Sequence, residues 1–263
     1  MRPESTSNAL VAAGAAILLY YVLQKRYSTQ RQRSWIITAL SSAIMTLCSA
    51  PFVLDVFLSC GDVAAIRPRL ALAALACRAF QGCLLADLIV GCRYYRCHVT
   101  ICWGWIHHSA YILLLHYVVR RGWAHAFCVC AVMELPTLHL ALSFLHPRVR
   151  HDWLFCASFL ATRIVFHVFI FLAFWAPPGN FVVGGSRFPA VFLALAFPGH
   201  VVWFAQSVRG AIRRNQKSGH VRQPDRTAFL DQTLVSATLA SLDDSTPLWK
   251  RTHGGRVLLG SPT

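Results

Sequence analysis

Hydrophobic residues in this chain come in long unbroken blocks, not at the period of an amphipathic helix or the alternation of a half-buried strand. Seven blocks stand out, over residues 8–23, 35–54, 70–90, 101–119, 124–145, 153–175 and 188–208. A helix needs roughly 20 residues to cross the hydrocarbon of a bilayer. The last six blocks reach that length and the first, with 16 residues, is marginal. The pattern predicts an all-α polytopic membrane protein with seven transmembrane helices. Trp35, Trp103, Trp105, Trp123, Trp153 and Trp175 fall at or near block ends, where an interfacial aromatic belt is expected.

Composition agrees with that pattern. Of 263 residues, 56% are apolar or aromatic and 13% are charged, roughly half the charged share of a soluble domain. A net charge of +15 would suggest nucleic acid in a soluble chain. Here the Arg residues lie between the apolar blocks, as charges that hold membrane loops in the cytosol do, so nucleic acid is not an expected partner. Most of the 10 Cys sit inside or beside apolar blocks without CxxC or CxxH spacing. They read as small apolar packers, not as a disulfide framework or metal site.

Orientation follows from the basic residues. Alternate loops, at 24–34, 91–100, 146–152 and 209–218, hold 12 Lys and Arg, against 6 on the opposite side. This bias predicts a lumenal N-terminus and a cytosolic C-terminus. In the first block the basic cluster (Lys25, Arg26, Arg31, Arg33) follows the apolar run, which favours an anchor over a cleaved signal peptide. Residues 1–33 are then a marginal span with a cytosolic basic loop, and residues 34–209 a membrane domain. Residues 210–263, rich in Ser, Thr, Asp, Arg and Gly, are expected to form a disordered cytosolic tail with a short surface helix over 229–242.

An ionisable side chain in mid-bilayer costs roughly 3 kcal/mol, so each one marks a candidate site. The blocks contain Arg78, Asp87, His107, His108, His116, Glu134, His139, Arg163, His167 and His200. Counting the helical rise from each end places Asp87 level with the His107–His108 pair in the cytosolic half. Glu134 and Arg163 fall near the middle of consecutive spans and are expected to pair, because either alone would be an uncompensated charge. Arg163 and His167, four residues apart, are expected to share a face, and Tyr111 stands one turn beyond His107. Pro136 should free a carbonyl near Val132. His116 and His139 read as packing residues. Adjacent His107 and His108 are harder to place in that way, since two desolvated rings need partners.

The segment GWIHHSAY (residues 104–111), with SWIITALSSAIMTL (34–47), LLADLIVGCRYYR (84–96), MELPTLHLAL (133–142), PRVRHDWLF (147–155) and TRIVFHVF (162–169), resembles the TLC-domain family, which includes the ceramide synthases. The resemblance covers the second to seventh blocks. It implies a six-helix bundle around a central, lipid-sized cavity open to the cytosol, in membranes of the endoplasmic reticulum. In ceramide synthases, paired His in that cavity serve transfer of an acyl group from acyl-CoA to a sphingoid amine. The pair maps onto His107 and His108, the acid of the third span onto Asp87, and the following Glu onto Glu134. The stretch HAFCVCAVME (125–134) lacks the acidic residues that precede that Glu in the synthases, and the chain is more similar to the non-synthase branch.

Two functions are therefore expected as alternatives. In the first, an acyltransferase uses His107 or His108 as nucleophile or general base, with Asp87 orienting the ring. Arg163 or Arg78 would then stabilise an oxyanion, and cytosolic Arg residues would meet the phosphates of acyl-CoA as co-substrate. In the second, a non-enzymatic regulator of membrane lipid composition grips a lipid with Arg78, Tyr111, Glu134, Arg163, His167 and His200. A di-metal lipid oxidase would need several clusters such as HxxxH, and a single HH occurs, so neither metal nor other cofactor is expected. Membrane lipids are the expected partners, and a homo-oligomer is compatible with them.

Overall fold

The structure, a computed structural model, describes residues 4–220. Ten α-helices run in chain order among these residues. They are α1 (Glu4–Leu23), α2 (Gln30–Arg33), α3 (Ile36–Leu58), α4 (Leu70–Tyr94), α5 (His107–Arg120), α6 (Ala124–Cys130), α7 (Leu135–Leu145), α8 (Asp152–Phe159), α9 (Phe166–Trp175) and α10 (Phe188–His220). No strand occurs among the described residues. Six helical stretches are long and apolar enough to cross a membrane: Ser7–Arg26, Gln30–Leu58, Leu70–Tyr94, Ala124–Leu145, Asp152–Trp175 and Phe188–Gln216. The chain is an all-α integral membrane protein. Leu10, Leu18, Leu47, Leu58, Leu113 and Leu195 are all exposed, which hydrocarbon tolerates and water does not.

The structure modifies several sequence expectations. The marginal first span is a full 20-residue helix, α1, because the helix begins at Glu4, ahead of the apolar run. The expected fourth span is helical from Ile101 to Arg120, a π-helix over Ile101–Ile106 leading into α5. It carries three histidines and a terminal Arg, and it is not among the six long apolar helices. Trp123 is buried against Tyr117 and Phe188 and does not belong to an aromatic belt. The last helix continues to His220, so residues 210–220 are helical where an unstructured tail was expected. The segment 229–242 lies outside the described residues. The chain divides into two compact units, Met1–Ala211 and Ile212–Thr263, and the helical bundle belongs to the first.

Helix α4 is the hub. It packs against α1, α3, α5 and α6, and its two sides use different small residues. On one side Ala9, Ala13 and Ala16 of α1 are buried beside Gly82, Cys83 and Ala86. Small residues of this kind let two membrane helices approach at the backbone. A Cβ at Gly82 would lie 2.5 Å from the Ala9 carbonyl oxygen and 2.7 Å from the Ala13 nitrogen. Towards α6, the buried thiols Cys77 and Cys128 donate reciprocally, to the carbonyls of Ala124 at 3.9 Å and Ala73 at 3.8 Å. These cysteines are packing groups that also tie two helices together.

The α1–α4 contact gives a direct test. Gly82→Val should force the helices apart and lower the melting temperature in detergent, by an overpacking cost of about 1–3 kcal/mol. Gly14→Val is the control, because nothing stands within 4 Å of a Cβ there. Equal losses from the two variants would mean that α1 is not held by this approach.

Candidate functional site

The first group of candidate residues is built on α4 and α5. Asp87 is buried on α4 and accepts a 2.6 Å hydrogen bond from the Tyr95 hydroxyl at the helix end. Tyr95 is only 2% exposed. Burial, together with the adjacent Asp87 carboxylate, raises its pKa well above that of an ordinary tyrosine, so it remains a donor. His108 Nδ1 lies 3.4 Å from the other Asp87 oxygen without hydrogen-bond geometry, which makes it an electrostatic neighbour of Asp87. The His107 ring packs on Tyr111 with centroids 4.5 Å apart. The predicted sharing of one level by Asp87 and the histidine pair is thus realised in the contact to His108, whereas the strongest partner of Asp87 is Tyr95.

The local backbone explains why the pair sits where it does. Gly104, in the π-helix just before His107, receives the Val99 side chain so closely that a Cβ would lie 2.4 Å from Val99 Cγ1. Gly91 of α4 receives the other Val99 methyl, at 2.6 Å from such a Cβ. Val99 therefore fastens the connecting loop to both helices.

The second group lies on the two long apolar stretches Ala124–Leu145 and Asp152–Trp175. A 3₁₀ segment, Ala131–Glu134, joins α6 to α7 ahead of Pro136. A π segment, Leu160–Val165, joins α8 to α9 and carries Arg163. Arg163 Nε donates to the Met133 carbonyl at 2.7 Å and Nη2 to Thr137 Oγ1 at 2.7 Å. The ion pair with Glu134 is longer, 3.4 Å. The expected partners do meet, but the shorter bonds of the guanidinium go to a backbone carbonyl and a hydroxyl. The 3₁₀ turn is what brings the Met133 carbonyl to face the arginine.

The third group is His167 and His200, whose Nδ1 atoms stand 3.0 Å apart. His167 Nε2 lies 2.9 Å from the Leu193 carbonyl oxygen on α10. Arg163 therefore bonds towards α7 while His167 bonds towards α10, although a regular helix would give residues four apart one face. From one broad face, the long guanidinium and the imidazole reach different neighbours.

The three groups are near enough to interact electrostatically. Arg163 lies within electrostatic reach of His107, Tyr111, His167 and His200, and Glu134 within reach of His108 and Tyr111. Arg78 stands apart. It is 3% exposed and donates to Gln81 Oε1 at 2.7 Å, and Gln81 in turn donates to the Ile112 carbonyl. Nine residues before Asp87, it is displaced along α4 by about 13 Å and braces α4 against α5. His116 is exposed and His139 bonds Ser158 Oγ, so neither joins the cluster. Sequence reasoning missed Tyr95 and Gln81, since a tyrosine at a span end and a lone glutamine carry no charge to draw attention.

A cavity of about 250 Å³ lies elsewhere, between α1, α3 and α4, with Ala12, Leu19, Leu40, Ile44 and Cys83 among its walls. None of the candidate residues lines it. Among the described residues, no group of three or more His, Cys, Asp or Glu is placed to hold a metal ion. No protein-family model, no curated protein and no solved structure matches this chain.

Proposed function

We propose that this integral membrane protein is a TLC-type lipid-handling protein that transfers an acyl group from acyl-CoA to a lipid amine or hydroxyl. The observation that carries this reading is the convergence of His107, His108, Glu134, Arg163, His167 and His200 within the helical bundle, next to two π segments and one 3₁₀ segment. Ionisable groups are costly in a membrane, and π segments recur at functional sites. One ring of the His107–His108 pair would attack the thioester carbonyl, its imidazole being nucleophilic near neutral pH. Asp87, held by Tyr95, would favour a positive charge on His108 as it develops. Arg163 would supply fixed positive charge for the oxyanion in a partly buried site. Membranes of the endoplasmic reticulum are the proposed location.

The test is transfer of a labelled acyl chain from acyl-CoA to sphingoid, lysophospholipid or glycerol acceptors by the purified protein. His107→Ala or His108→Ala should reduce transfer by at least about 10²-fold while the protein stays folded. Absence of transfer from wild-type protein to every acceptor would remove the enzymatic reading. The apolar cavity between α1, α3 and α4 favours a second reading, a non-enzymatic regulator that holds a lipid chain there, away from the polar cluster. In that case the histidine variants should change which lipids co-purify, with no turnover to lose.

We also propose a lumenal N-terminus and a cytosolic tail, from the bias of 12 to 6 in loop Lys and Arg. A glycosylation acceptor inserted near residue 4 should be modified and one near residue 240 should not. The reverse pattern would overturn this topology.

A further inference from the structure

The apolar cavity between α1, α3 and α4 is a groove in the membrane-facing surface. Ala15 and Leu19 of α1, on one wall, are exposed, and Leu40 and Ile44 of α3, on the other, are partly exposed. Cys83 of α4, buried, lies at its floor. All eight lining residues are Ala, Leu, Ile or Cys, so water finds no polar partner there and hydrocarbon does. The α1 wall runs over residues 12–19, about 10 Å of helix.

One end of the groove adjoins a strongly basic connection. Leu19 stands four residues before the end of α1 at Leu23, and Leu40 four residues after the start of α3 at Ile36. Each is therefore about 6 Å from the segment 24–35. That segment holds Lys25, Arg26, Arg31 and Arg33 and no Asp or Glu. Lys25 and Arg26 follow directly on α1 and are exposed. Arg33 Nε donates to the Tyr27 carbonyl at 2.9 Å, which holds the guanidinium near the end of α1 and uses one of its five donors. Arg31 turns away, over the Phe144 ring of α7. Among the described residues, none of these four cations forms an ion pair. At the opposite end of α3 the charge is offset: Asp55 pairs with Arg69 and accepts the Arg67 backbone N–H.

We infer that this groove binds a membrane phospholipid with a net negative headgroup. One acyl chain lies along residues 12–19, in the space that α1 and α3 leave between them, and the phosphate meets Lys25, Arg26 and Arg33. Basic residues directly beyond a membrane helix attract anionic lipids, and guanidinium groups match phosphate oxygens in charge and donor geometry. A zwitterionic headgroup brings its own cation, which these three side chains repel. The inference does not depend on acyl transfer. It extends the regulatory reading of the same cavity by naming the class of lipid held there.

The test is photolabelling of full-length protein in phosphatidylcholine vesicles. The probe is a phospholipid with a diazirine within one acyl chain, either phosphatidylserine or phosphatidylcholine, and the labelled residues are mapped by mass. The phosphatidylserine probe should label residues 12–19 and 40–44 severalfold more than the phosphatidylcholine probe, with the remainder of the bundle labelled alike. Lys25→Gln with Arg26→Gln, at two exposed positions, should remove most of that preference, and Arg33→Gln in addition should remove the rest. Ala15→Phe, which fills the groove from an exposed position, should reduce labelling of residues 40–44 by both probes. Equal labelling of the groove by the two probes in wild-type protein, or an unchanged preference in the Lys25→Gln, Arg26→Gln protein, would overturn the headgroup assignment. Labelling of residues 40–44 that Ala15→Phe leaves unaltered would overturn the groove as the seat of the chain. Selective labelling of a protein that also transfers acyl groups would uphold the site and remove the purely regulatory reading.

Discussion

Arg163→Ala is expected to cost about 3–5 kcal/mol of stability, the range for removing one member of a buried charged network, and to lower the melting temperature in detergent accordingly. The guanidinium serves three acceptors on the neighbouring span: the Met133 carbonyl, Thr137 Oγ1 and Glu134. Alanine leaves all three without it in the membrane interior, where water offers little compensation. Arg163→Lys should recover only part of the loss, because one ammonium cannot reproduce the fork that reaches the carbonyl and the hydroxyl together. Glu134→Gln should cost far less, about 1 kcal/mol, since its contact is the long one at 3.4 Å and the amide oxygen can still accept. If Glu134→Gln proves as damaging as Arg163→Ala, the ion pair dominates and the bonds to Met133 and Thr137 are the minor ones.

Tyr95→Phe should be the second severe change. It removes the 2.6 Å bond to Asp87 and leaves a buried carboxylate with His108 as a 3.4 Å neighbour. Hydrogen bonds to charged groups contribute about 1.5–3 kcal/mol, and the loss here should lie at the upper end because Asp87 stays buried. Asp87→Leu alone should also destabilise, by stranding the Tyr95 hydroxyl. The double variant Asp87→Leu with Tyr95→Phe should be more stable than the sum of the single losses implies, since both polar partners are then gone. Chemical denaturation of the four proteins measures this coupling. Strict additivity would mean that the two side chains do not depend on each other. Asp87→Asn retains an acceptor for Tyr95, so it should be the mildest change at that position, and it isolates the effect of charge on the reactivity of His108.

The sequence by itself determined the membrane class, the approximate span boundaries and which ionisable residues fall at matching positions along consecutive spans. Lipid dictates all three: a segment in hydrocarbon must be apolar over a fixed length with its backbone bonds closed, so the apolar blocks can be read without knowing their neighbours. Position along a span follows from the constant rise of a helix, and it was enough to match Glu134 with Arg163 and Asp87 with His108. Rotation about the helix axis was decided only by the tertiary structure. The π segments at Ile101–Ile106 and Leu160–Val165 break the 3.6-residue period on which facing estimates depend. Arg163 and His167 bond to different helices, a choice of partner that spacing along the chain does not encode. The His167–His200 couple joins residues 33 apart, and no local pattern encodes that pairing. The place of Tyr95 under Asp87 depends on how the chain leaves α4, and the role of Gly82 depends on which helix approaches it. α1 looked marginal as a span because its apolar run is short. In the structure it starts at Glu4 and is held by close packing on α4, a property of two surfaces that neither block shows alone.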